Sequence, residues 1–549
     1  MSLPLRRALT LSIFLIALGS CRQESRAEDA ENRLLERLTE EYVTARFEFY
    51  PVEATAAGLA GNDDRLGTFA RPDIERRIRW LADFQQKLSG LPPRRLSPTA
   101  HMDALWLSSL VKAELFELEE RARWRTTASF YGEFIRAGIV SLLLSSDLPS
   151  RTGSLAGRLD EVPSLVEQAK ANLDEQSSRL WIEDGVASLD RCLAVLGDLV
   201  TILEKHIPSY RLANLAERNR LAMRSVQSLR GVLSERLGAA PETEVALGED
   251  ALGRLFLYHD MVDAPLDDLF RETSEAVENR TDMIIELALE RFAGQPLREL
   301  LSSSPATELS EDAVRLLAEE VGRLLAVPSP VRVTLVPSDF LAPEPVRLWR
   351  ETSLEPLHDI VLLVGVPFGS MAEADVELHA WLELTTRLPQ FDFQARSTSL
   401  LRRVFDARTT SEGWRSWRWW RSMRADYRGG DPTLRLRSHR RALLEELRLQ
   451  AVLSFHARGA TLDETQELFY QRGYLSTADA RREAERVALD PRAGSAALGH
   501  LLLRRLSRDY RLAFPLSDAA ELDERVLEEG LVPIRLIRAR LLDSAGFES

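Results

Sequence analysis

The sequence ENRLLERLTEEYVTARFEF, residues 31–49, decides the fold class, because its apolar side chains recur at steps of three and four residues. On a helix of 3.6 residues per turn this spacing places them on one face, which is typical of a helix packed against a core. These side chains are Leu34, Leu35, Leu38, Tyr42, Ala45 and Phe49. Similar stripes predict further helices at about 71–89, 99–121, 180–205, 208–237, 265–292 and 311–326.

The stretch between about 331 and 365 departs from this pattern. Residues 331–336 (VRVTLV) alternate in polarity, and residues 360–364 (IVLLV) form a short β-branched run. Both patterns favour strands. Helical stripes then resume at about 371–386, 396–405, 411–426, 432–457, 461–473, 477–488, 492–511, 518–529 and 532–542. We therefore predict an all-α protein with a minor β element around 331–365.

The N-terminus has the features of an export signal. Arg6 and Arg7 precede an apolar run of about ten residues, which is too short to span a bilayer, where roughly 20 are needed. The run ends in residues 18–21 (LGSC), which resemble the bacterial lipobox and predict lipidation of Cys21. Arg22 follows instead of Asp, which favours the outer membrane, facing the periplasm. The alternative is an ordinary secretory signal.

These features divide the chain into a signal peptide (1–20), a tether (21–30) and one large domain (31–545). The signal carries two arginines and no acidic residue, so its removal changes the net charge from −14 to −16. An acidic surface disfavours nucleic acid as a partner and leaves the membrane, reached through the lipid anchor, as the expected one. With Cys21 acylated, Cys192 is the only remaining cysteine, and its apolar helical neighbours predict a buried, inert thiol.

Several short motifs, in order along the chain, resemble the bacterial domain-of-unknown-function family numbered 885. They are residues 51–58 (PVEATAAG), 64–66 (DRL), 158–173 (with Arg158-Leu159, Val162-Pro163 and Asn172-Leu173), 248–252 (GEDAL), 412–414 (EGW), 456–459 (HARG) and 490–499. The resemblance implies a helical fold like that of zinc metallopeptidases, with the signature His-Glu-x-x-Pro-Gly-His-x-x-Gln. Two histidines and a further carboxylate would hold zinc, and the glutamate would act as general base.

In this chain the motif aligned on Pro389 has lost the groups that the chemistry requires. Thr385 and Phe391 stand at the histidine positions and Thr386 at that of the base, although Gln394 is retained. Outside the motif, a second glutamate, an aspartate and a tyrosine of the family correspond to Trp419, Val452 and Ala496. Threonine and phenylalanine cannot supply the ligands or the base. No intact catalytic residue and no cofactor is therefore expected.

Glu412 and His456 are the surviving members of the family's site, and with His379 and Glu383 they are the weak candidates for a residual metal site. Asp375, His379 and Glu383 are spaced by four residues, so they would lie in one row on a helix, where an exposed polar face is the simpler interpretation.

Two further runs of the sequence favour structural interpretations. The Trp414–Arg421 run is best explained by core packing with arginines on aromatic rings, and the alternative is a ligand site. The Arg435–Arg441 run predicts a solvated helix face, although it could meet lipid head groups or an anionic ligand.

Three functional hypotheses follow from these patterns. The favoured one is a lipid-anchored, non-catalytic relative of the peptidases that binds peptide-like or envelope material in the inherited cleft. The second is an active hydrolase with a rearranged site that uses Glu412 and His456. The third is a purely structural envelope protein.

Overall fold

The computed structural model describes most of the chain between residues 28 and 542. The described ranges are 28–59, 61–145, 147–175, 177–242, 245–292, 295–302, 316, 332–341, 346–349, 361–366, 379–424 and 432–542. Cys21 lies outside them, as does Asp375, and residues 311–326 are outside apart from residue 316.

The N-terminal half is built from α-helices and short connections. They are α1 (28–49), α2 (Pro51–Ala56), α3 (Arg71–Ser89), α4 (Pro98–Phe116), α5 (Arg123–Thr126), α6 (Ser129–Leu143), α7 (Leu148–Asn172), α8 (Arg179–Glu204), α9 (Ser209–Leu237), α10 (Glu249–Asp260), α11 (Leu266–Arg291) and α12 (Leu297–Ser302). A 3₁₀ turn covers Pro93–Arg95, and the wider π-helical turn Glu117–Arg121 follows α4 directly.

The chain then forms a small sheet before the C-terminal helices. The strands are β1 (Arg332–Pro337), β2 (Val346–Trp349) and β3 (Val361–Val366), with α13 (Ser338–Leu341) between the first two. The strand order is β1-β3-β2, and β3 pairs parallel to β1, with Thr334 opposite Leu363, and antiparallel to β2, with Leu348 opposite Leu362.

The C-terminal part is again helical. A continuous helix over 379–396 contains a π-helical turn, Glu383–Arg387, and ends in α14 (Leu388–Arg396). The following helices are α15 (Leu400–Val404), α16 (Arg408–Arg424), α17 (Pro432–Arg458), α18 (Leu462–Arg472), α19 (Thr477–Leu489), α20 (Ser495–Ala513), α21 (Ala519–Glu528) and α22 (Ile534–Leu542). None of the described helices is both long enough and apolar enough to cross a bilayer.

The predictions of an all-α fold and of a β element around 331–365 are confirmed. Among the described helices of ten residues or more, three, α6, α7 and α10, have no counterpart among the predicted stripes. Ten of the fifteen residues of α6 are buried, so it lacks the polar face on which the prediction depends. Pro163 lies inside α7, where a proline normally indicates a helix end.

The N-terminal family motifs meet at one buried arginine. The Arg158 guanidinium is fully buried and donates to the carbonyl oxygens of Arg65 (3.1 Å) and Gly138, and to the hydroxyl of Thr55 (2.5 Å). Asn172, at the end of the same helix α7, donates to the Phe69 carbonyl oxygen (2.7 Å). These motifs therefore have a structural role, in which α7 holds the loop that follows α2.

Two large clusters of buried apolar side chains form the core. The first joins α1 to α9 with parts of α16 and α20–α22, and the second joins α10, α11 and α17–α20. Leu502 of α20 packs against both clusters. Helices α16, α17 and α20, which carry the C-terminal family motifs, therefore lie where the two clusters meet.

Candidate functional site

The residues aligned above with the zinc signature, which we call the altered zinc motif, lie in the helix over 379–396 and begin in its π-helical turn. The Thr385 hydroxyl donates to the Trp381 carbonyl oxygen (2.8 Å), and the Thr386 hydroxyl donates to that of Leu382 (2.5 Å). Both side chains are buried. Their hydroxyls are therefore engaged by their own helix. A π-helical turn inside an α-helix is often associated with function, and this one carries the charged Glu383 and Arg387 beside the two threonines.

Three of the other altered positions are occupied by packed apolar side chains. Trp419 is buried against Trp381, with ring centroids 5.1 Å apart in an edge-on arrangement. Val452 is fully buried, and Ala496 is buried at the start of α20. The three positions are therefore part of the core.

The two remaining motif positions lie in α14. Phe391 is half-buried, and the Gln394 amide is 3.4 Å from the Phe405 carbonyl oxygen, to which it donates.

His456 uses both ring nitrogens to hold backbone groups. Its Nδ1 accepts from the Leu247 N–H (3.2 Å), so Nε2 carries the proton and donates to the Val487 carbonyl oxygen (2.9 Å). The ring borders a cavity of about 260 Å³ whose walls include Arg121 and Trp181. Burial lowers the pKa of His456 to about 4. No lone pair of this neutral imidazole is available to a metal.

Around Glu412 the structure assembles a set of eight charged side chains, which we call the ion cluster. The members are Arg387, Arg415, Arg441, Arg448, Glu383, Glu412, Glu445 and Glu483, with side-chain exposures between 3 and 20%. They come from the helix over 379–396, α16, α17 and α19. Partly exposed charges of both signs therefore lie beside the altered zinc motif.

The contacts within the ion cluster link its members into pairs. Arg415 binds Glu412 (2.8 Å) and lies 3.5 Å from Glu383, whose other oxygen accepts from the Leu348 N–H of β2 (2.9 Å). Arg448 binds Glu483 through two parallel contacts of 2.7 Å. Bidentate pairs of this kind fix the orientation of both groups.

Electrostatics keep the Glu412 carboxylate of the ion cluster ionised. Burial alone would raise the pKa of Glu412, but Arg415 and Arg408 outweigh it and lower the value to about 2. Burial lowers the pKa of Arg441, and Arg415 and Arg448 lower it further against the pull of Glu445. Three arginines are thus crowded together, which an added anion would relieve.

His379 contacts the ion cluster through Arg441, whose Nη1 is 3.1 Å from its Nδ1. Burial, reinforced by Arg441 and Arg415, lowers the pKa of His379 well below its ordinary value. With Glu383 almost fully buried and His379 half-buried, the predicted exposed polar face is wrong for both residues, because β2 and α17 cover that side of the helix.

Helix α16, which carries Glu412 and Arg415, is positioned by a close glycine contact with α20. A Cβ added at Gly413 would lie 2.4 Å from the Gly499 Cα, and one at Gly499 would lie 1.9 Å from the Thr409 carbonyl oxygen. Only hydrogen fits at this crossing. Gly413 of the EGW motif and Gly499 of the motif at 490–499 therefore set the distance between α16 and α20.

The residues present do not fit a zinc ion. Phe391 has no donor atom, and the hydroxyls of Thr385 and Thr386 are bound within the helix. No hydrogen bond or ion pair joins Glu412, His456 and His379 to one another in the described ranges. Across those ranges, no group of three or more His, Cys, Asp or Glu side chains is arranged to hold a metal. Of the four weak metal candidates, Glu383, Glu412 and His379 lie in or beside the ion cluster, where arginines occupy the space between them, and His456 holds backbone groups elsewhere.

The Trp414–Arg421 run packs in the core, as predicted. Trp414 and Trp417 are buried on one face of α16, and Arg418 lies over the Trp414 ring at 5.8 Å. Asp523 accepts from the Trp417 indole N–H (2.9 Å) and pairs with Arg418 and Arg421. Cys192 is also buried, as predicted, and burial raises the pKa of its thiol to about 12.

The prediction of a solvated face for the Arg435–Arg441 run is partly wrong. Arg435 is exposed, whereas Arg440 donates to the Leu301 carbonyl oxygen (2.7 Å) and Arg441 belongs to the ion cluster. The sequence does contain a signal for this second role, because Arg441, Glu445 and Arg448 recur at steps of four and three residues on α17.

The buried imidazole of His456 leads to a prediction about pH. Its pKa is about 4 in the folded protein and near 6.5 when exposed, so the unfolded chain binds the proton more tightly. Between these values stability falls as the pH falls, by up to about 1.4 kcal/mol per pH unit from this group. In His456→Gln, urea unfolding at pH 7, 6, 5 and 4.5 should show a shallower decline than in the wild type. Parallel declines would contradict the assignment.

Comparison with known proteins supports the resemblance noted in the motifs. Residues 51–321 match the family described as "Bacterial protein of unknown function (DUF885)". None of the curated proteins matches the sequence significantly.

Two solved structures share the fold. One is described as a "putative lipoprotein of unknown function" from Shewanella oneidensis; it is 16% identical, with a TM-score of 0.72, and the match covers 92% of this chain and 99% of that chain. The other is described as a "putative lipoprotein" from Colwellia psychrerythraea; it is 13% identical, with a TM-score of 0.77, and the match covers 93% of this chain and 98% of that chain.

Proposed function

We propose that this chain, whose residues 51–321 match the DUF885 family, is a lipid-anchored, non-catalytic protein of the cell envelope. In this proposal it binds peptide-like ligands at the ion cluster. The lipobox-like residues 18–21 support the anchor at Cys21, and Arg22 supports the outer membrane. The observation that carries the binding role is the ion cluster itself, which is placed beside the altered zinc motif.

The ligand class follows from the charges of the ion cluster. A peptide with free ends carries an ammonium group and a carboxylate, and the ion cluster offers partly exposed partners for both. The crowded arginines Arg415, Arg441 and Arg448 favour the carboxylate end. Bidentate pairing of a guanidinium with a carboxylate adds both affinity and orientation.

Hydrolysis is disfavoured by the same groups. A carboxylate with a pKa of about 2, like that of Glu412, is a weak general base at neutral pH. His456 has no free nitrogen with which to bind a metal or accept a proton. The alternative, a rearranged hydrolase, requires peptide cleavage that is abolished in both Glu412→Gln and His456→Gln.

The binding role can be tested by calorimetry on the detergent-solubilised mature protein. We expect it to bind an acidic pentapeptide with a free C-terminal carboxylate more tightly than the same peptide with an amidated end. Arg441→Gln should weaken binding about tenfold, equal to about 1.4 kcal/mol. Arg435→Gln removes the same charge from an exposed position of α17 and should leave binding unchanged. Equal affinities for the two variants, or no binding by the wild type, would refute the proposal.

A further inference from the structure

A second, separate cavity of about 500 Å³ opens between α11, α16, α17 and α20. One end is aromatic: Trp417 and Trp420 stack with their centroids 5.4 Å apart, and His500 meets the edge of Trp420 at 5.9 Å. Trp417 is buried, whereas Trp420 is half-buried and is the more exposed of the two rings at the wall. Burial, with Arg280 and Arg504 nearby, lowers the pKa of His500 to about 3. The aromatic end is therefore uncharged at neutral pH.

The other end of the cavity is cationic. Arg504, Arg508 and Arg511 recur at steps of four and three residues, so they lie along one face of α20. The two glutamates of the cavity are already matched: Glu446 binds Arg280 (2.9 Å) and Glu272 binds Arg505 (2.5 Å).

The three arginines of this face differ in their partners. Arg508 contacts its neighbour Asp509 (3.2 Å). Within the described ranges, neither Arg504 nor Arg511 pairs with a carboxylate, and both are exposed. A row of positive charge with this arrangement is unexpected on a protein whose net charge is −14.

We propose that this cavity binds an anionic saccharide, with the sugar ring against Trp420 and a carboxylate or phosphate group on Arg504 and Arg511. A concave site with an apolar aromatic wall and a few convergent polar groups is the usual form of a small-ligand site. Guanidinium groups are suited to both carboxylate and phosphate oxygens. The site is independent of the ion cluster, because none of the eight residues of that cluster lines the cavity.

The experiment is calorimetric titration of the detergent-solubilised mature protein with glucuronate and glucose 6-phosphate, and with glucose as the neutral match. The two anionic sugars should bind and glucose should not. The double variant Arg504→Gln/Arg511→Gln should weaken binding at least about tenfold. Arg220→Gln, which removes a charge from the exposed face of α9, should leave it unchanged.

Two further variants separate the parts of the site. Trp420→Ala should weaken binding of glucose 6-phosphate while leaving any affinity for inorganic phosphate unaltered. Arg441→Gln should not change the affinity for either sugar. A failure of the proposed peptide binding can therefore be distinguished from a failure of the proposed saccharide binding. Two results would overturn the proposal: no binding of either anionic sugar, or arginine-dependent binding to phosphatidylglycerol vesicles without binding of soluble sugars. The second result would assign the row of arginines to a membrane surface.

Discussion

Glu114→Ala should lower the free energy of unfolding by about 3–5 kcal/mol, because it leaves the buried Arg77 without its anion and the partly buried Arg46 with Glu53 alone. The Glu114 side chain is almost fully buried in α4. Its oxygens accept from Arg77 (2.8 and 3.0 Å), from Arg46 (2.9 Å) and from the hydroxyl of Tyr42 (3.0 Å). This one carboxylate thus ties α1, α3 and α4 together.

The matched control is Glu53→Ala. Glu53 binds the same arginine, Arg46, at 2.8 Å, but its side chain is 41% exposed. Exposed ion pairs contribute about 0–1 kcal/mol, so this variant should unfold close to the wild type. Urea unfolding followed by circular dichroism measures both variants. Similar urea midpoints for Glu114→Ala and Glu53→Ala would contradict the role assigned to Glu114.

Glu114 also gives the direction of a pH effect. Burial alone would raise its pKa, but Arg46 and Arg77 outweigh burial and hold the pKa of Glu114 below its ordinary value of 4.5. A carboxylate of this kind stabilises the fold above its unfolded pKa, and that stability is lost as the pH falls through the folded value. The difference in the free energy of unfolding between the wild type and Glu114→Ala should therefore become smaller below about pH 4.5.

Gly499→Ala should destabilise the protein by about 3 kcal/mol, at the upper end of the range for overpacking. The added Cβ would lie 1.9 Å from the Thr409 carbonyl oxygen and 2.6 Å from the Gly413 Cα. Both contacts are with backbone, so α16 has to move away from α20 as a unit. Because α16 carries Glu412, Arg415 and Trp420, peptide and saccharide binding should weaken together.

Gly197→Ala is the control for this substitution. Gly197 lies inside α8, and a Cβ there meets no atom within 4 Å. Replacing an unconstrained helical glycine by alanine stabilises a helix by roughly 0.5–1 kcal/mol. The two variants should therefore shift the urea midpoint in opposite directions. A Gly499→Ala protein as stable as Gly197→Ala would show that the helices do not meet as described.

The sequence predicted the helices that have one apolar and one polar face, and it predicted the strand-like runs, because both patterns are local. It missed α6, which is buried nearly all round, and α7, which continues through Pro163. It also missed β2, whose four residues are too few to show a period. In each case tertiary packing decides the structure, and the local pattern does not contain that information.

The candidate site was only half predictable. The sequence shows that Thr385, Thr386 and Phe391 replace two histidines and a glutamate, because the signature of the resembled family specifies the residue type at each of these positions. The charges that now surround Glu412 are not visible, since Arg387, Arg415 and Arg448 come from three helices. Only the fold reveals that guanidinium and carboxylate groups from several helices surround Glu412.

The most direct test of this account is the zinc content of the mature protein, determined by elemental analysis after incubation with zinc and gel filtration. Because Thr385, Thr386 and Phe391 supply no ligand and both nitrogens of His456 hold backbone groups, we expect zinc far below one ion per chain. One zinc ion per chain, with peptide hydrolysis that is lost on chelation, would contradict the proposal that the ion cluster binds ligands without cleaving them.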